Sequence, residues 1–413
     1  GNQNVAIGTD GQKVSTAANN TSLGYLALAA NTTGTENVAV GALAGDAITT
    51  GSHNTAVGYI ALSAATTASD NSAFGREALR DCTSGNSNTA IGKEALKLNT
   101  TGVENTAVGH HALNVNTSGQ QNVALGRLAL LANTTGSFNT GVGSAALDAN
   151  TTGSNNIGIG AGALTANTTA DNNTGVGHSS LAANTTGEDN TGLGFGALAS
   201  NTTASNSTAV GKSALLLNTT GAGNTGVGFT ALDACTTGAY NVAVGYDSIG
   251  KLTTASNNTA IGNSGLNNCT TGEGNTCIGK ASGDVITTSG SNTLVGRDTD
   301  TSSATSAGHE IAIGANAVGK GASTGFINPN GGGVYQGNNS TTWSQTSDER
   351  IKKNIVDNNV GLEKIKNIQV RNFEYKLPEE ISDGLTETDA IDKQGIQLGV
   401  IAQELETILP DMV

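Results

Sequence analysis

The chain has 413 residues, of which 58 are Gly, 3 are Pro and only 3% are aromatic, and its formal net charge is -14. Globular enzymes of this length bury many aromatic side chains, so the composition argues against one. The acidic balance, with no basic stripe, argues against nucleic acid and anionic membrane surfaces as partners, and the sequence has no apolar run of about 18 residues that would predict membrane insertion.

A short unit recurs along most of the chain. From Asn20 to about Gly296 it repeats every 17 residues without a slip, and looser copies stand at Asn4 and Ile311. Three successive copies read NTAVGYIALSAATTASD, NSAFGREALRDCTSGNS and NTAIGKEALKLNTTGVE. A fixed short period is typical of a solenoid or fibre. We therefore assign an imperfect first coil to residues 1–19 and a repeat shaft to residues 20–314.

Individual positions of the repeat, numbered from its first Asn, carry distinct signals. Position 5 is Gly in every in-register copy, which predicts positive φ or a contact too close for a Cβ atom. Position 4 is always apolar, as at Val40 and Phe74, and position 9 is mostly Leu, so both are predicted to face a core. Position 3 is small, which predicts close packing there. Positions 6 and 7 are predicted to lie outside; examples are Arg76 and Glu77, Lys93 and Glu94, and His110 and His111.

The length of the repeat indicates a mainly β fold. Seventeen residues are too few for a helical hairpin but suit one β-solenoid coil of two short strands and turns. Positions 1 to 4 are the predicted strand, NTTG is a predicted turn, and the GxxAL part fits either a strand or one helical turn. The coil is either wound by one chain, which we favour, or wound jointly by three. Because one coil carries few large apolar residues, we expect a homotrimer.

Position 12 indicates which way the turn faces. It is Asn in most coils but Cys in Cys82, Cys235 and Cys269, Ile in Ile48 and Leu in Leu252. A site that exchanges Asn for apolar residues is at least partly buried, so we predict a stacked ladder of Asn amides. The Asn-Thr-Thr triplets are therefore poor glycosylation sites, and the Cys residues are predicted to be buried, small apolar residues rather than disulfides or ligands.

No cofactor or metal is expected. The five His residues fall on several repeat positions and form no ligand cluster; they are His53, His110, His111, His178 and His309. Acidic residues occur singly along the repeats, so spacing supports no pair of glycosidase carboxylates. The calcium-binding GGxGxD repeat does not occur in the sequence.

The repeat decays after Gly314. Residues 315–346 are Gly-rich and are predicted to form a neck of short strands and turns, with Phe326, Tyr335 and Trp343 as sparse anchors. From Ser347 onward the residues are rich in charge and the 17-residue period is lost. There VGLEKIKNI fits a helix, VRNFEYKL a strand, and GVIAQELETIL a strand followed by a helix, while PEEISDGLTETDAIDKQG reads as an acidic loop. Residues 347–413 are therefore predicted to be a small α+β module.

SDERIKKNI at Ser347, VRNFEYK and LGVIAQELETILPDMV, in this order, resemble the C-terminal intramolecular chaperone domain of phage tailspikes and tail fibres. That domain was first associated with endosialidases and is also found in myelin regulatory factor. The resemblance covers residues 347–413. Separately, the repeats are similar to those of tail fibres and of trimeric autotransporter adhesin heads. The module stops short of where such domains usually end and the chain opens inside a repeat, so we expect a fragment with a truncated chaperone.

The resemblance implies that the module brings three chains together, drives their fibre into register and then cuts itself off. Ser347 would be the nucleophile and Lys352 its base, cutting the Thr346–Ser347 bond once, with no external substrate. A supporting set around the turn is also implied; it comprises Asp348, Arg350 and Asn354. Taken alone, SDERIKKN also reads as a capped, charged helix start. A retained, non-cleaving module therefore stays open.

The sequence thus predicts a trimeric β-solenoid fibre of a virion that attaches to a host cell through a surface receptor, either a glycan or a protein. The alternative is a bacterial cell-surface adhesin with a non-cleaving trimerisation cap. Both readings place the shaft outside the cell, and neither involves nucleic acid or membrane insertion.

Overall fold

In the computed structural model each repeat forms one coil of a parallel β-solenoid, and the coil is wound by a single chain. Every strand of the array pairs with the strand of the next coil in register, so that Thr89 lies beside Thr106 and Ile91 beside Val108. The mainly β solenoid that the sequence predicts is confirmed, and the jointly wound alternative is wrong. Equivalent residues of successive coils consequently form columns along the shaft.

The structure describes residues 3–12, 15–305, 308–329, 333–337, 343–345, 361–375 and 395–408. The chain divides into two units, 1–346 and 347–413. The strands of the first unit are β1 Val5–Ile7, β2 Thr21–Leu23, β3 Val38–Val40, β4 Thr55–Val57, β5 Ser72–Phe74, β6 Thr89–Ile91, β7 Thr106–Val108, β8 Val123–Leu125, β9 Thr140–Val142, β10 Ile157–Ile159, β11 Thr174–Val176, β12 Thr191–Leu193, β13 Thr208–Val210, β14 Thr225–Val227, β15 Val242–Val244, β16 Thr259–Ile261, β17 Thr276–Ile278, β18 Thr293–Val295, β19 Ile311–Ile313, β20 Gly325–Ile327, β21 Val334–Gln336 and β22 Trp343–Gln345. The second unit contains α1 Gly361–Lys366, β23 Arg371–Phe373, β24 Gln397–Gly399 and α2 Ala402–Ile408.

Each coil has one strand, at positions 2 to 4, and not the two that the repeat length suggested. After the strand the backbone turns sharply at the position-5 Gly. In one coil this is Gly92, with φ of 134°, where a Cβ atom would lie 2.5 Å from the carbonyl oxygen of Gly109. Both reasons predicted for this Gly therefore apply. Positions 7, 9 and 17 are also left-handed, as in Glu94, Leu96 and Glu104, so the GxxAL part is neither strand nor helix.

The core is built from positions 3, 8 and 9, and the prediction that position 4 faces it is wrong. In one coil Ala90, Ala95 and Leu96 are fully buried, whereas Ile91 at position 4 is 43% exposed. A strand alternates its side chains, so the small residue at position 3 points inward and the larger one at position 4 outward. Position 9 faces the core as predicted. Position 7 is half-buried and not outside, and Glu77 there is only 7% exposed.

In two coils, the core residues at positions 9 and 12 compensate each other in size. Where Gly45 replaces the usual Leu at position 9, position 12 carries Ile48, and a Cβ atom on Gly45 would lie 2.9 Å from Ile48 Cδ1. The same exchange recurs with Gly283 and Ile286. Since a cavity in a packed core is destabilising, the large residue at position 12 fills the space that Gly leaves.

Buried amides connect the coils in two ladders. At position 1 Asn105 Oδ1 accepts a hydrogen bond from the backbone N–H of Asn122 at 3.0 Å, and its Nδ2 donates to Gly119 O at 2.9 Å. At position 12 Asn133 Nδ2 donates to Asn116 Oδ1 and to Gly136 O, both at 2.9 Å. The position-12 ladder confirms the prediction from its exchange pattern, and the full burial of these Asn amides leaves the Asn-Thr-Thr triplets unsuited to glycosylation. The position-1 ladder was not predicted.

The Cys residues at position 12 preserve part of this ladder. The Cys82 thiol donates to the carbonyl of Gly85 at 3.3 Å, the acceptor position that Asn uses in other coils. All four Cys residues are free and buried, as predicted. Burial raises the pKa of Cys82, Cys235 and Cys269 to about 11, so these thiols stay protonated at neutral pH.

The shaft changes its period near its C-terminal end. The strand spacing is 16 residues from β1 to β2, 17 from β2 to β18, then 18 from Thr293 to Ile311 and 14 from Ile311 to Gly325. Strands β20, β21 and β22 then pair antiparallel, which ends the parallel ladder. The predicted neck strands are present, and Phe326 is buried. The side chains of Tyr335 and Trp343 lie outside the part that the structure describes.

The amide ladder makes a specific prediction about stability. Replacing Asn133 with Ala removes two donated hydrogen bonds and leaves Asn116 Oδ1 and Gly136 O buried without this partner, so we expect the free energy of unfolding to fall by about 1–3 kcal/mol. Thr152→Ala, at an exposed position of the neighbouring turn, is the control and should change it by less than about 0.5 kcal/mol. Thermal unfolding followed by circular dichroism measures both changes. If Asn133→Ala lowers the free energy of unfolding no more than Thr152→Ala does, the ladder does not stabilise the fold.

Candidate functional site

The outer face of the strands carries a continuous apolar column. Position 4 holds an aliphatic residue or Phe in every in-register coil, and none of them is buried in the single chain. Leu23, Leu125 and Leu193 are 46%, 42% and 44% exposed. Beside this column, position 2 holds mostly Thr, as in Thr106 and Thr140, with Val, Ile or Ser in other coils. The face is therefore uncharged along its length, and exposed apolar surface of this extent marks an interaction site.

A network of ion pairs lies on a different part of the same coils. Glu77, whose side chain is 9% exposed, accepts from Arg76 at 2.6 Å, from Arg80 at 3.1 Å and from Lys97 of the next coil at 2.9 Å. Lys97 also pairs with Glu94 at 3.2 Å. Because Lys97 bridges carboxylates of two coils, the network adds an electrostatic contact between neighbouring repeats.

The electrostatics of this network depend on the buried carboxylate. The hydrogen bond from Lys97 lowers the pKa of Glu77 to about 2 against the opposing effect of desolvation, and the bond from Arg76 acts in the same direction. Glu77 is therefore ionised throughout the physiological range. It neutralises cations that would otherwise repel each other.

The second unit has the elements predicted for its described parts. Helix α1, strand β23 and helix α2 fall within the predicted helix, strand and strand-helix motifs, whereas β24 begins two residues before the last motif and overlaps it only at Gly399. Strands β23 and β24 pair antiparallel. Arg371 on β23 binds Glu404 on α2 with two hydrogen bonds, of 3.0 and 2.9 Å. Several apolar side chains of this unit are exposed to solvent. Ile365, Val370, Ile396 and Leu398 are 59–75% exposed.

The predicted cleavage site lies outside the described residues, as does the acidic loop. The residues concerned are Thr346, Ser347, Asp348, Arg350, Lys352 and Asn354. Their roles therefore stay predictions from the motif.

Neither a metal centre nor a membrane helix is found in the described ranges. Among the side chains that the structure describes, no three His, Cys, Asp or Glu residues are grouped so that they could hold a metal ion. Neither of the two helices described above is long and apolar enough to cross a membrane.

Comparison with known proteins places the C-terminal unit in a family. Residues 347–413 match the family described as the chaperone of endosialidase, which confirms the resemblance seen in the sequence motifs. No curated protein and no solved structure matches the chain. The β-solenoid and the match of the C-terminal unit support a fibre with an intramolecular chaperone. Such a chain fits a protein of the tail-fibre or endosialidase type, and the chaperone implies that three chains associate.

Glu77 predicts a pH dependence of stability. A carboxylate whose pKa is lower in the folded than in the unfolded state stabilises the fold above the unfolded pKa of about 4.5, and this contribution is lost as the pH falls towards 2. We expect Glu77→Gln to lower the unfolding free energy at pH 7 by about 2–3 kcal/mol, because Arg76, Arg80 and Lys97 lose their shared anion. The difference from wild type should shrink between about pH 5 and 2.

Thermal unfolding of both proteins across this range measures the effect. Glu188→Gln, at an exposed position, is the control and should follow the wild type at every pH. A Glu77→Gln deficit that is constant from pH 7 to 2 would contradict the assigned shift.

Proposed function

We propose that this chain is the shaft of a trimeric virion fibre that attaches the particle to a host cell, and that its C-terminal unit directs the folding of the trimer. The observation that carries the proposal is the exposed apolar column at position 4. A single coil buries mainly Ala and one Leu, so a second set of apolar contacts supplies stability that one chain lacks.

Symmetry favours position 4 as the column nearest the threefold axis. In a parallel trimer, equivalent residues of the three chains meet at the same height, so a charge on the axis would face two identical charges. Position 4 is uncharged in every in-register coil, whereas position 6 carries Arg76, Lys93, Arg127 and Lys212. Position 4 therefore suits the axis and position 6 does not.

The second unit also carries exposed apolar side chains. Leu398 in β24 and Ile396 just before it are 75% and 72% exposed. Apolar side chains exposed to this degree are stabilised when further copies of the unit cover them. Association of three chaperone units at one end would also align the three shafts in register before their coils close.

Self-cleavage is the finer part of the proposal. A Ser hydroxyl needs a base to remove its proton, and Lys352 serves as that base only when burial lowers its pKa from about 10.4. Ser347 Oγ would then attack the carbonyl carbon of Thr346, and the Lys352 ammonium would return the proton to the departing nitrogen of Ser347. Water would hydrolyse the resulting ester, which frees the Thr346 carboxylate on the shaft and restores the Ser347 hydroxyl. Because an exposed Lys is a poor base, cleavage should require the assembled trimer.

The proposed axis is tested by two substitutions two residues apart. Val142→Lys at position 4 should abolish the trimer, because three ammonium groups would meet on the axis. Ser144→Lys at position 6 is the matched control and should leave the trimer intact, since other coils already carry Lys there. Analytical ultracentrifugation measures the stoichiometry, and circular dichroism verifies that the coils remain folded. A stable Val142→Lys trimer would remove position 4 from the axis.

The cleavage hypothesis is tested on denaturing gels. Wild-type chains should be cleaved between Thr346 and Ser347 into two fragments. Ser347→Ala and Lys352→Ala should each give an intact chain that still forms trimers. Lys353→Ala, one residue along, is the control and should cleave normally. If the wild type stays whole and Ser347→Ala behaves identically, the unit is a retained trimerisation cap, as in the cell-surface adhesin alternative.

A further inference from the structure

The aromatic side chains of the shaft are on its surface. Between residues 20 and 305 the sequence has eight Phe and Tyr residues, and all of them are 40–67% exposed. They are Tyr25, Tyr59, Phe74, Phe138, Phe195, Phe229, Tyr240 and Tyr246. Ala and Leu fill the core of these coils. Packing in the core therefore does not account for the rings, and large exposed rings are residues that proteins use for binding.

Three of these rings belong to one run at position 6. Five consecutive coils carry His178, Phe195, Lys212, Phe229 and Tyr246 there, and we call these five residues the ring strip. His178 stacks on Phe195 with a centroid distance of 5.3 Å and an interplanar angle of 11°. Phe229 stacks on Tyr246 at 5.5 Å and 7°. The strip thus consists of two stacked pairs separated by the coil of Lys212.

Lys212 occupies the gap between the two pairs. Its Nζ lies 5.9 Å from the Phe195 centroid and 5.6 Å from the Phe229 centroid. These are cation–π distances, and an exposed contact of this kind is weak, on the order of 0.5–1 kcal/mol. A ligand that packs more closely against both rings can therefore displace the Lys212 ammonium group.

The size of the gap selects the guest. Phe195 and Phe229 are two coils apart, about 10 Å if each coil rises by about 4.8 Å. A flat ring in van der Waals contact with both faces would need only about 7–8 Å. A puckered sugar ring is thicker and fills the remaining space, with its C–H groups against the two aromatic faces. Position 7 of two of these coils carries a hydroxyl, on Ser213 and Thr230. The Thr230 hydroxyl donates to the carbonyl of Phe229 at 2.8 Å, so its oxygen still offers an acceptor to a sugar hydroxyl.

Charge selects among sugars. The chain carries a net charge of -14, and Asp233 and Asp247 belong to the same coils as Phe229 and Tyr246. The five coils of the strip, residues 173–257, contain four acidic residues (Glu188, Asp189, Asp233 and Asp247) against two basic ones (Lys212 and Lys251), so this surface would repel a polyanion. A neutral glycan meets no such penalty.

We infer that the ring strip is the receptor-contact site of the shaft, and that it binds a neutral glycan with one sugar ring seated between Phe195 and Phe229. Lys212 then moves from the rings and donates hydrogen bonds to sugar hydroxyls. The inference rests on the proposed attachment function and specifies its ligand class. The inference requires that position 6, which lies off the proposed axis, is not covered by the neighbouring subunits of the trimer.

The test is binding of the full-length trimer to an array that displays neutral oligosaccharides of glucose, galactose and mannose beside acidic ones. Wild-type protein should bind one or more neutral glycans, and Phe195→Ala or Phe229→Ala should weaken that binding at least tenfold. Lys212→Gln, which keeps a hydrogen-bond donor without the charge, should change it less than threefold. Tyr25→Ala and Tyr59→Ala are matched controls, because these rings occupy position 6 outside the strip, and they should bind as wild type.

Several results would overturn the inference. Binding to acidic glycans alone, binding to no glycan, or equal binding by Phe195→Ala would each do so. Sedimentation of each variant separates this test from the trimer proposal. A Phe195→Ala protein that no longer forms trimers would place the strip between subunits and exclude a receptor site, whereas an intact trimer without glycan binding leaves the fibre proposal standing.

Discussion

At positions 1 and 12 of most coils, a fully buried Asn amide makes hydrogen bonds that the neighbouring coil supplies. An amide that lost these partners would stay desolvated, so neighbouring coils are held in one register. That register places every Gly corner against the next, as between Gly92 and Gly109, where a Cβ atom would not fit. It also aligns the outward residues into columns. The uncharged column at position 4, the ion pairs around Glu77 and the stacked rings at position 6 all exist because the amide ladders do not slip.

Much of this architecture could be read from the sequence, because a strict period exposes what each position tolerates. The exchange of Asn for Cys, Ile and Leu indicates, from the sequence alone, that position 12 is buried. The direction of position 4 could not be read in the same way. An apolar residue suits both the core of a single chain and an interface with a partner chain. Residue type alone therefore does not distinguish a core position from an interface position. The small residue at position 3 was the better signal, since the narrow interior of a coil admits Ala90 where Ile91 would be too large.

Backbone conformation was less predictable. Leu96 and its equivalents adopt φ near 50°, a region that branched side chains rarely occupy, and nothing in the local sequence indicates it. The tight closure of a coil imposes this strain, and packing with the ladders offsets it. The chaperone unit shows the opposite situation. The motif around Ser347 identifies it clearly, yet its proposed chemistry depends on how burial tunes Lys352, which a motif does not report. The ring strip was visible in principle by comparing position 6 across coils, but its stacked geometry was not.

Because each coil presents the same edge above and below, a whole coil can be gained or lost without altering the contacts at either end. The Asn ladder would close again across the junction, and so would the Gly corner. Length is consequently a quantity that unequal recombination between copies can change in steps of about 4.8 Å. When a whole coil is gained or lost, equivalent positions stay aligned in their columns. A deletion of any other length shifts the repeat and places polar residues in the core. The length of the shaft can therefore change quickly by whole coils, while its diameter and the structures at its two ends stay constant.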